Sequence, residues 1–139
     1  MQETNTYNLT KQWGNWLGET KWDYFSTITY KFDINSKRNE NIMLDIEKKI
    51  QRKIKNYKIF WIMEQTSNNY QTHNHLLIKG SGVKEEILTH LKKKNLINEK
   101  FVKHIKYDKQ LGANYYVCKY IKSKNIRYGI SYSDNYKLK

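Results

Sequence analysis

His73 and His75 stand one residue apart in Thr72-His73-Asn74-His75-Leu76-Leu77-Ile78. The stretch reads as a strand, with turn formers on either side of it. Side chains two apart on a strand leave the same face, so both imidazoles project together while Asn74, Leu76 and Ile78 face the other way. Two neighbouring imidazoles can share one divalent metal. A third ligand through oxygen would complete a site that still has positions open for substrate. Glu64 is the candidate for that ligand: it closes a second predicted strand, Lys58 to Glu64, and the short Ser67-Asn68-Asn69 turn can bring it beside the histidines. An isolated His-x-His is more often a pair of surface histidines, and the neighbouring carboxylate weighs against that here.

Tyr116 and Tyr120 are four apart in a stretch, Gly112 to Lys122, that permits a helix, so they share a face one turn apart with Lys119 beside it. A tyrosine hydroxyl can attack a phosphodiester and form a phosphotyrosine, which keeps the bond energy for religation. At neutral pH only about 0.1% of a free phenol is ionised. A metal polarising the phosphate and a nearby ammonium favouring phenolate must therefore help. Among 12 tyrosines such a pair also arises by packing alone, and Tyr115 beside Tyr116 leaves open which of the two reacts. Cys118 lies between the tyrosines in sequence but is turned off their face by helical geometry.

The elements that must position these groups follow from hydrophobic period. An opening stretch with Trp13, Trp16 and Trp22 forms a short helix or arm that covers the core. Tyr24 to Phe32, dense in aromatic and β-branched residues, is a strand. From Asn39 to Asn56, isoleucines at 42, 46, 50 and 54 recur every four residues, an amphipathic helix with lysines outside. The strands holding Glu64 and the histidines come next, antiparallel to each other. Val83, Ile87, Leu88 and Leu91 mark a second helix, and Phe101 to Tyr107 alternates as a fourth strand. The tail from Arg127 is strand or loop. The order β-α-β-β-α-β followed by a helix is the α+β, ferredoxin-like split β-α-β arrangement: an antiparallel sheet with helices on one face. The nucleophile-bearing helix then lies by the open face.

Taken together, these pieces resemble the HUH endonucleases: rolling-circle replication initiators, plasmid relaxases and single-tyrosine transposases. Trp22 to Tyr30 is similar to their first strand, and Glu64 with Thr72 to Ile78 to their metal motif, with Asn74 where a hydrophobic residue is usual. Tyr116-Val117-Cys118-Lys119-Tyr120 resembles the two-tyrosine helix of initiators from small single-stranded DNA phages, and Arg127 to Ser131 the segment after it. The resemblance covers roughly residues 22 to 131 in the family's order. It implies Mg²⁺ or Mn²⁺ held by His73, His75 and Glu64, and nicking of single-stranded DNA with a 5′-phosphotyrosine on Tyr116. Tyr120 would be the second nucleophile, and Lys119 would contact the scissile phosphate or orient the metal. It also implies a host helicase and polymerase as partners in the cytoplasm of a prokaryotic host.

Composition agrees with a polyanionic partner. The 139 residues carry a net charge of +13, which favours nucleic acid first and an acidic membrane surface second. No run of 18 apolar residues exists, so no spanning helix is expected. The length suits one domain, 1–139, with an arm at 1–21, a core at 22–131 and a tail at 132–139. No signal core opens the chain, and the lone Cys118 cannot pair internally, which fits a reducing compartment. Only Arg38, Arg52 and Arg127 are arginines. The rest of the basic residues are lysines, whose A/T-rich codons make part of the excess a matter of genome composition. Lys122, Lys124, Arg127 and the strand aromatic Tyr30 are the expected DNA contacts. His90 and the lysines at 92 to 94 read as solvated helix surface, and His104 as a plain surface residue, with contact to phosphate as the alternative. Two alternatives remain: a transposase of the same chemistry, and a non-enzymatic ferredoxin-like domain that binds RNA or single-stranded DNA through its sheet.

Overall fold

The structure, a computed structural model, describes residues 12–65, 72–108, 110, 112–116 and 127–133, with backbone alone at 65, 99, 101, 115 and 116. Its elements are α1 (12–17), β1 (Tyr24–Tyr30), α2 (Ser36–Lys53), β2 (Lys58–Gln65), β3 (Thr72–Lys79), α3 (Val83–Lys93), β4 (Ile97–Lys106), α4 (Ala113–Tyr116) and β5 (Tyr128–Tyr132). The strands form one sheet in the order β4-β1-β3-β2-β5, and every adjacent pair is antiparallel. The expected split β-α-β order holds, and the tail adds β5 as a fifth strand along β2. β4 begins four residues earlier than its alternation suggested. Asn98-Glu99-Lys100 hides the period, yet Ile97 pairs with Tyr30 across a register shift.

Strand alternation divides the core in two. On one face Ile28, Tyr30, Ile59, Trp61, Met63, Leu76 and Ile78 meet the isoleucine stripe of α2 and the Val83, Ile87 and Leu91 stripe of α3. α2 starts at Ser36 because Asn35 caps it, its side chain accepting the Arg38 N–H at 2.8 Å; it stops where Ile54 turns extended. On the other face Phe60, Ile62 and Leu77 are covered by Leu17, Trp22 and Ala113. The three early tryptophans therefore line the covered half of this face. Lys58 holds that cover in place: its ammonium lies 5.5 Å from the ring centroids of both Trp16 and Trp22 and donates to Thr20 Oγ1 at 2.7 Å. β5 approaches so closely that a Cβ on Gly129 would stand 2.6 Å from Trp61 Nε1. At that strand position only glycine fits.

Asn74 and Tyr30 face the helices and close a buried network with Asn39 of α2. The two amides exchange hydrogen bonds at 2.7 and 3.0 Å, the Tyr30 hydroxyl donates to Asn39 Oδ1 at 2.7 Å, and Asn74 Nδ2 donates to that hydroxyl at 3.0 Å. This is why an asparagine can stand between the two histidines: its polar atoms are satisfied inside the core. Tyr30 must accordingly be withdrawn from the DNA contacts. It is 1% exposed, on the wrong face, and burial holds its phenol far above the ordinary range. Asn39→Ala leaves two buried polar partners short and should lower stability by about 2–3 kcal/mol, read from urea unfolding.

Candidate active site

Antiparallel pairing of β2 with β3 sets Glu64 directly across from His73, and pairing of β1 with β3 sets Thr29 across from His73 and Thr27 across from His75. All five side chains share the face opposite α2 and α3, at the end of the sheet beyond the apolar patch that α1 covers. The Glu64 carboxylate reaches diagonally to His75, with Oε2 2.7 Å from Nε2. Diagonal neighbours on an antiparallel pair lie within reach of a long side chain. His75 is 5% exposed, and the Phe25 ring lies beside it at 5.9 Å between centroids.

Each imidazole has a hydroxyl behind it. Thr29 Oγ1 lies 2.6 Å from His73 Nδ1, and Thr27 Oγ1 lies 3.2 Å from His75 Nδ1. Such a partner fixes the ring's orientation and leaves Nε2 to work. In the Glu64 pair, Nε2 of His75 carries the proton that the carboxylate accepts. For Nε2 to offer a lone pair instead, Nδ1 must take the proton and donate to Thr27. A hydroxyl can either donate or accept, so threonine serves both states. Among the described residues no group of three or more His, Cys, Asp or Glu is gathered as a metal centre. Glu64, His73 and His75 share a face and adjacent positions without closing on a common point. Their donor set, two oriented imidazoles and a carboxylate, is one that suits a divalent cation. Thr29→Val keeps the branched shape and removes the hydroxyl; affinity of the two imidazoles and the carboxylate for Mn²⁺, read by titration, should fall about 10–100-fold.

The nucleophile segment is described only in part. Tyr116 ends α4, while Lys119, Tyr120, Lys122 and Lys124 lie outside the described residues. What seats α4 is Asn114, which is buried: its Nδ2 donates to Gly14 O at 2.7 Å, and its Oδ1 accepts from the Tyr107 hydroxyl at 3.3 Å. The N-terminal helix and α4 thus hold each other on the site's face. Arg127 is spent elsewhere. Its Nη1 donates to Glu40 Oε2 of α2 at 2.9 Å, and the guanidinium holds the Glu40 carboxyl below its ordinary range.

Two further residues flank the site. Lys103 pairs with Thr27 from the β4 side and is exposed, and Tyr128 pairs with Ile62 from the β5 side and is 40% exposed. Thr27, Thr29, Asn114, Lys103 and Tyr128 escaped the sequence reading. Only the threonines left a signal: they repeat the two-residue spacing of the histidines on a neighbouring strand. The remaining histidines are not surface groups. His90 is 5% exposed, and His104 sits on the helix-side face with Nδ1 2.5 Å from Ser26 Oγ. Burial lowers both imidazole pKa values.

An antiparallel split β-α-β sheet that presents two histidines and a glutamate on one face fits the framework of a Rep-type HUH protein. The chain belongs to the replication-associated protein ORF2 family, rolling-circle replication initiators of the HUH superfamily, whose model matches residues 23–125. That span holds β1 through α4 and leaves α1 and β5 outside it. Comparisons with curated proteins and with solved structures give no match. Among the described residues no helix is long and apolar enough to cross a membrane.

Proposed function

We propose that this chain, acting as one domain, nicks and rejoins a single DNA strand through a covalent 5′-phosphotyrosine, as an initiator of rolling-circle replication. The observation that supports this most is the Glu64, His73 and His75 face, with a hydroxyl behind each ring, in a chain of this family. Glu64, His73 and His75 would hold Mg²⁺ or Mn²⁺, whose charge polarises the scissile phosphate when it is bound. Thr27 and Thr29 hold the rings in orientation, and Asn114 seats the segment that carries the nucleophile. The Tyr116 hydroxyl loses its proton to solvent and its oxygen bonds to phosphorus, while the bond from phosphorus to the 3′ oxygen breaks and that oxygen takes up a proton. The freed 3′ hydroxyl primes synthesis by a host polymerase, with a host helicase opening the duplex in a prokaryotic cytoplasm. Lys119 contacts the scissile phosphate, and Tyr120 is the second nucleophile for strand transfer. Lys122, Lys124 and Lys103 meet the backbone, and Tyr128, exposed on the site's face, replaces Tyr30 as the strand aromatic that contacts the DNA.

The two tyrosines favour an initiator over a transposase, which usually needs one. A purely binding module leaves the Glu64–His75 pair without a purpose. The test is incubation with a pool of single-stranded oligonucleotides and Mn²⁺, followed by a denaturing gel and mass spectrometry. A covalent adduct mapped to one tyrosine is expected. Strands that bind but are never cut, with any divalent metal, would return the chain to the binding-module reading.

A further inference from the structure

The outward faces of α2 and α3 carry a second cationic feature, on the layer of the molecule opposite the histidines. A cleft of about 240 Å³ lies between the two helices, walled by Lys48, Lys49 and Arg52 on α2 and by Lys93 and Lys94 at the end of α3. Asp45 is the only acidic residue lining it. None of the five cations makes an ion pair among the described residues. By contrast Lys53, one residue beyond Arg52, does so with Glu86 at 3.4 Å. Five like charges facing one groove repel one another unless an anion enters it.

His90 lines the same cleft and is 5% exposed, with Nδ1 buried and lacking a hydrogen-bond partner among the described residues. The fold itself therefore leaves this ring under-used.

We propose that this cleft is a second nucleic-acid contact, which takes the phosphodiester backbone of a single strand on the face of the protein away from the cleavage site. The proposal rests on the nicking function only in its choice of strand. Its geometry favours a chain of phosphates over an isolated one. Lys48 and Arg52, one turn apart on α2, are about 6 Å apart along the axis, comparable with the step between phosphates of an extended strand. Flexible ammonium groups in an open groove suit a polyanion, whereas a free phosphate ion is typically cradled by converging backbone N–H donors. The shared charge then holds the parental strand through repeated nicking.

His90 supplies a local reporter. Desolvation, reinforced by Lys49 and Lys94, holds its pKa below the ordinary value, and an anion in the cleft must raise it. The test follows the His90 imidazole by NMR against pH, with the full chain alone, with a single strand of about 30 nucleotides, longer than a typical single-strand site, and with inorganic phosphate. A rise in the His90 pKa that saturates with the strand, at concentrations where inorganic phosphate does nothing, is the expected result. No shift at strand saturation overturns the proposal. An equal shift with inorganic phosphate at the same concentration also overturns it, because the cleft is then a site for the free ion.

Binding gives a second readout. Lys48→Gln, Arg52→Gln and Lys93→Gln combined should weaken binding of the strand roughly tenfold to fiftyfold at physiological salt and flatten its salt dependence by about 0.7 per charge removed. Lys21→Gln, Lys31→Gln and Lys100→Gln together, which remove the same charge from other exposed positions, should cost no more than a few-fold. Equal losses from both triples would mean diffuse charge and end the proposal. Cleavage by the unaltered protein of the same strand is scored separately. Failure of the Glu64, His73 and His75 reading therefore appears as absent cleavage, and failure of the cleft as an unmoved His90.

Discussion

His73→Ala and His75→Ala should each cut strand cleavage about a thousandfold, while the protein stays folded and keeps most of its affinity for the strand. The magnitude follows from the several kcal/mol of charge stabilisation that a metal supplies at a phosphoryl oxygen, since each 1.4 kcal/mol is about tenfold in rate. Affinity should survive because the lysines proposed to contact the backbone are untouched. The two variants differ in stability. His75 is buried against Phe25 and paired with Glu64 at 2.7 Å, so its removal leaves a half-buried carboxylate without its imidazole partner. His73 loses only the Thr29 contact and a less buried ring. Circular dichroism and strand binding check the fold, and a quantified gel checks cleavage. EDTA should reproduce the loss. Glu64→Ala should shift the metal requirement more gently, because water can replace one oxygen ligand. Full cleavage in EDTA, or in the double histidine variant, removes the metal reading.

Tyr116→Phe should abolish the covalent adduct in a single-cleavage assay. Phenylalanine keeps the ring and loses only the hydroxyl, so the whole effect falls on the bond to phosphorus. Tyr120→Phe should leave the first cleavage largely intact and impair a second, linked strand transfer. Positions four apart on a continuous helix lie about 6 Å apart along the axis, so both hydroxyls can serve one phosphate after a small shift. An effect confined to Tyr116→Phe makes the chain a single-tyrosine nickase and Tyr120 a packing residue. Loss of the adduct in Tyr115→Phe alone moves the nucleophile by one residue. Asn114→Ala, which releases α4 from Gly14, should slow adduct formation without changing which tyrosine carries it.

Local pattern was enough to read the strand carrying His73 and His75, the strand carrying Glu64, both amphipathic helices and the order β-α-β-β-α-β. Each of these depends on a period of two or of nearly four, which neighbours in sequence set among themselves. The shared face of the two histidines followed from the same alternation, and so did the inward turn of Asn74. Everything that requires a partner distant in sequence had to wait for the fold. The side to which Tyr30 points, the hydroxyls of Thr27 and Thr29 behind the imidazoles, and the diagonal reach of Glu64 to His75 are properties of strand register. Register is chosen by which apolar faces can be buried together. The fifth strand exists because Gly129 lets β5 lie against Trp61, a contact between residues far apart in sequence that no window contains. His90 is the plainest instance: on its own helix it stands among lysines and reads as solvated, and only the arrival of α2 beside α3 buries it. Periodicity tells a residue which face it is on, and packing decides what that face meets.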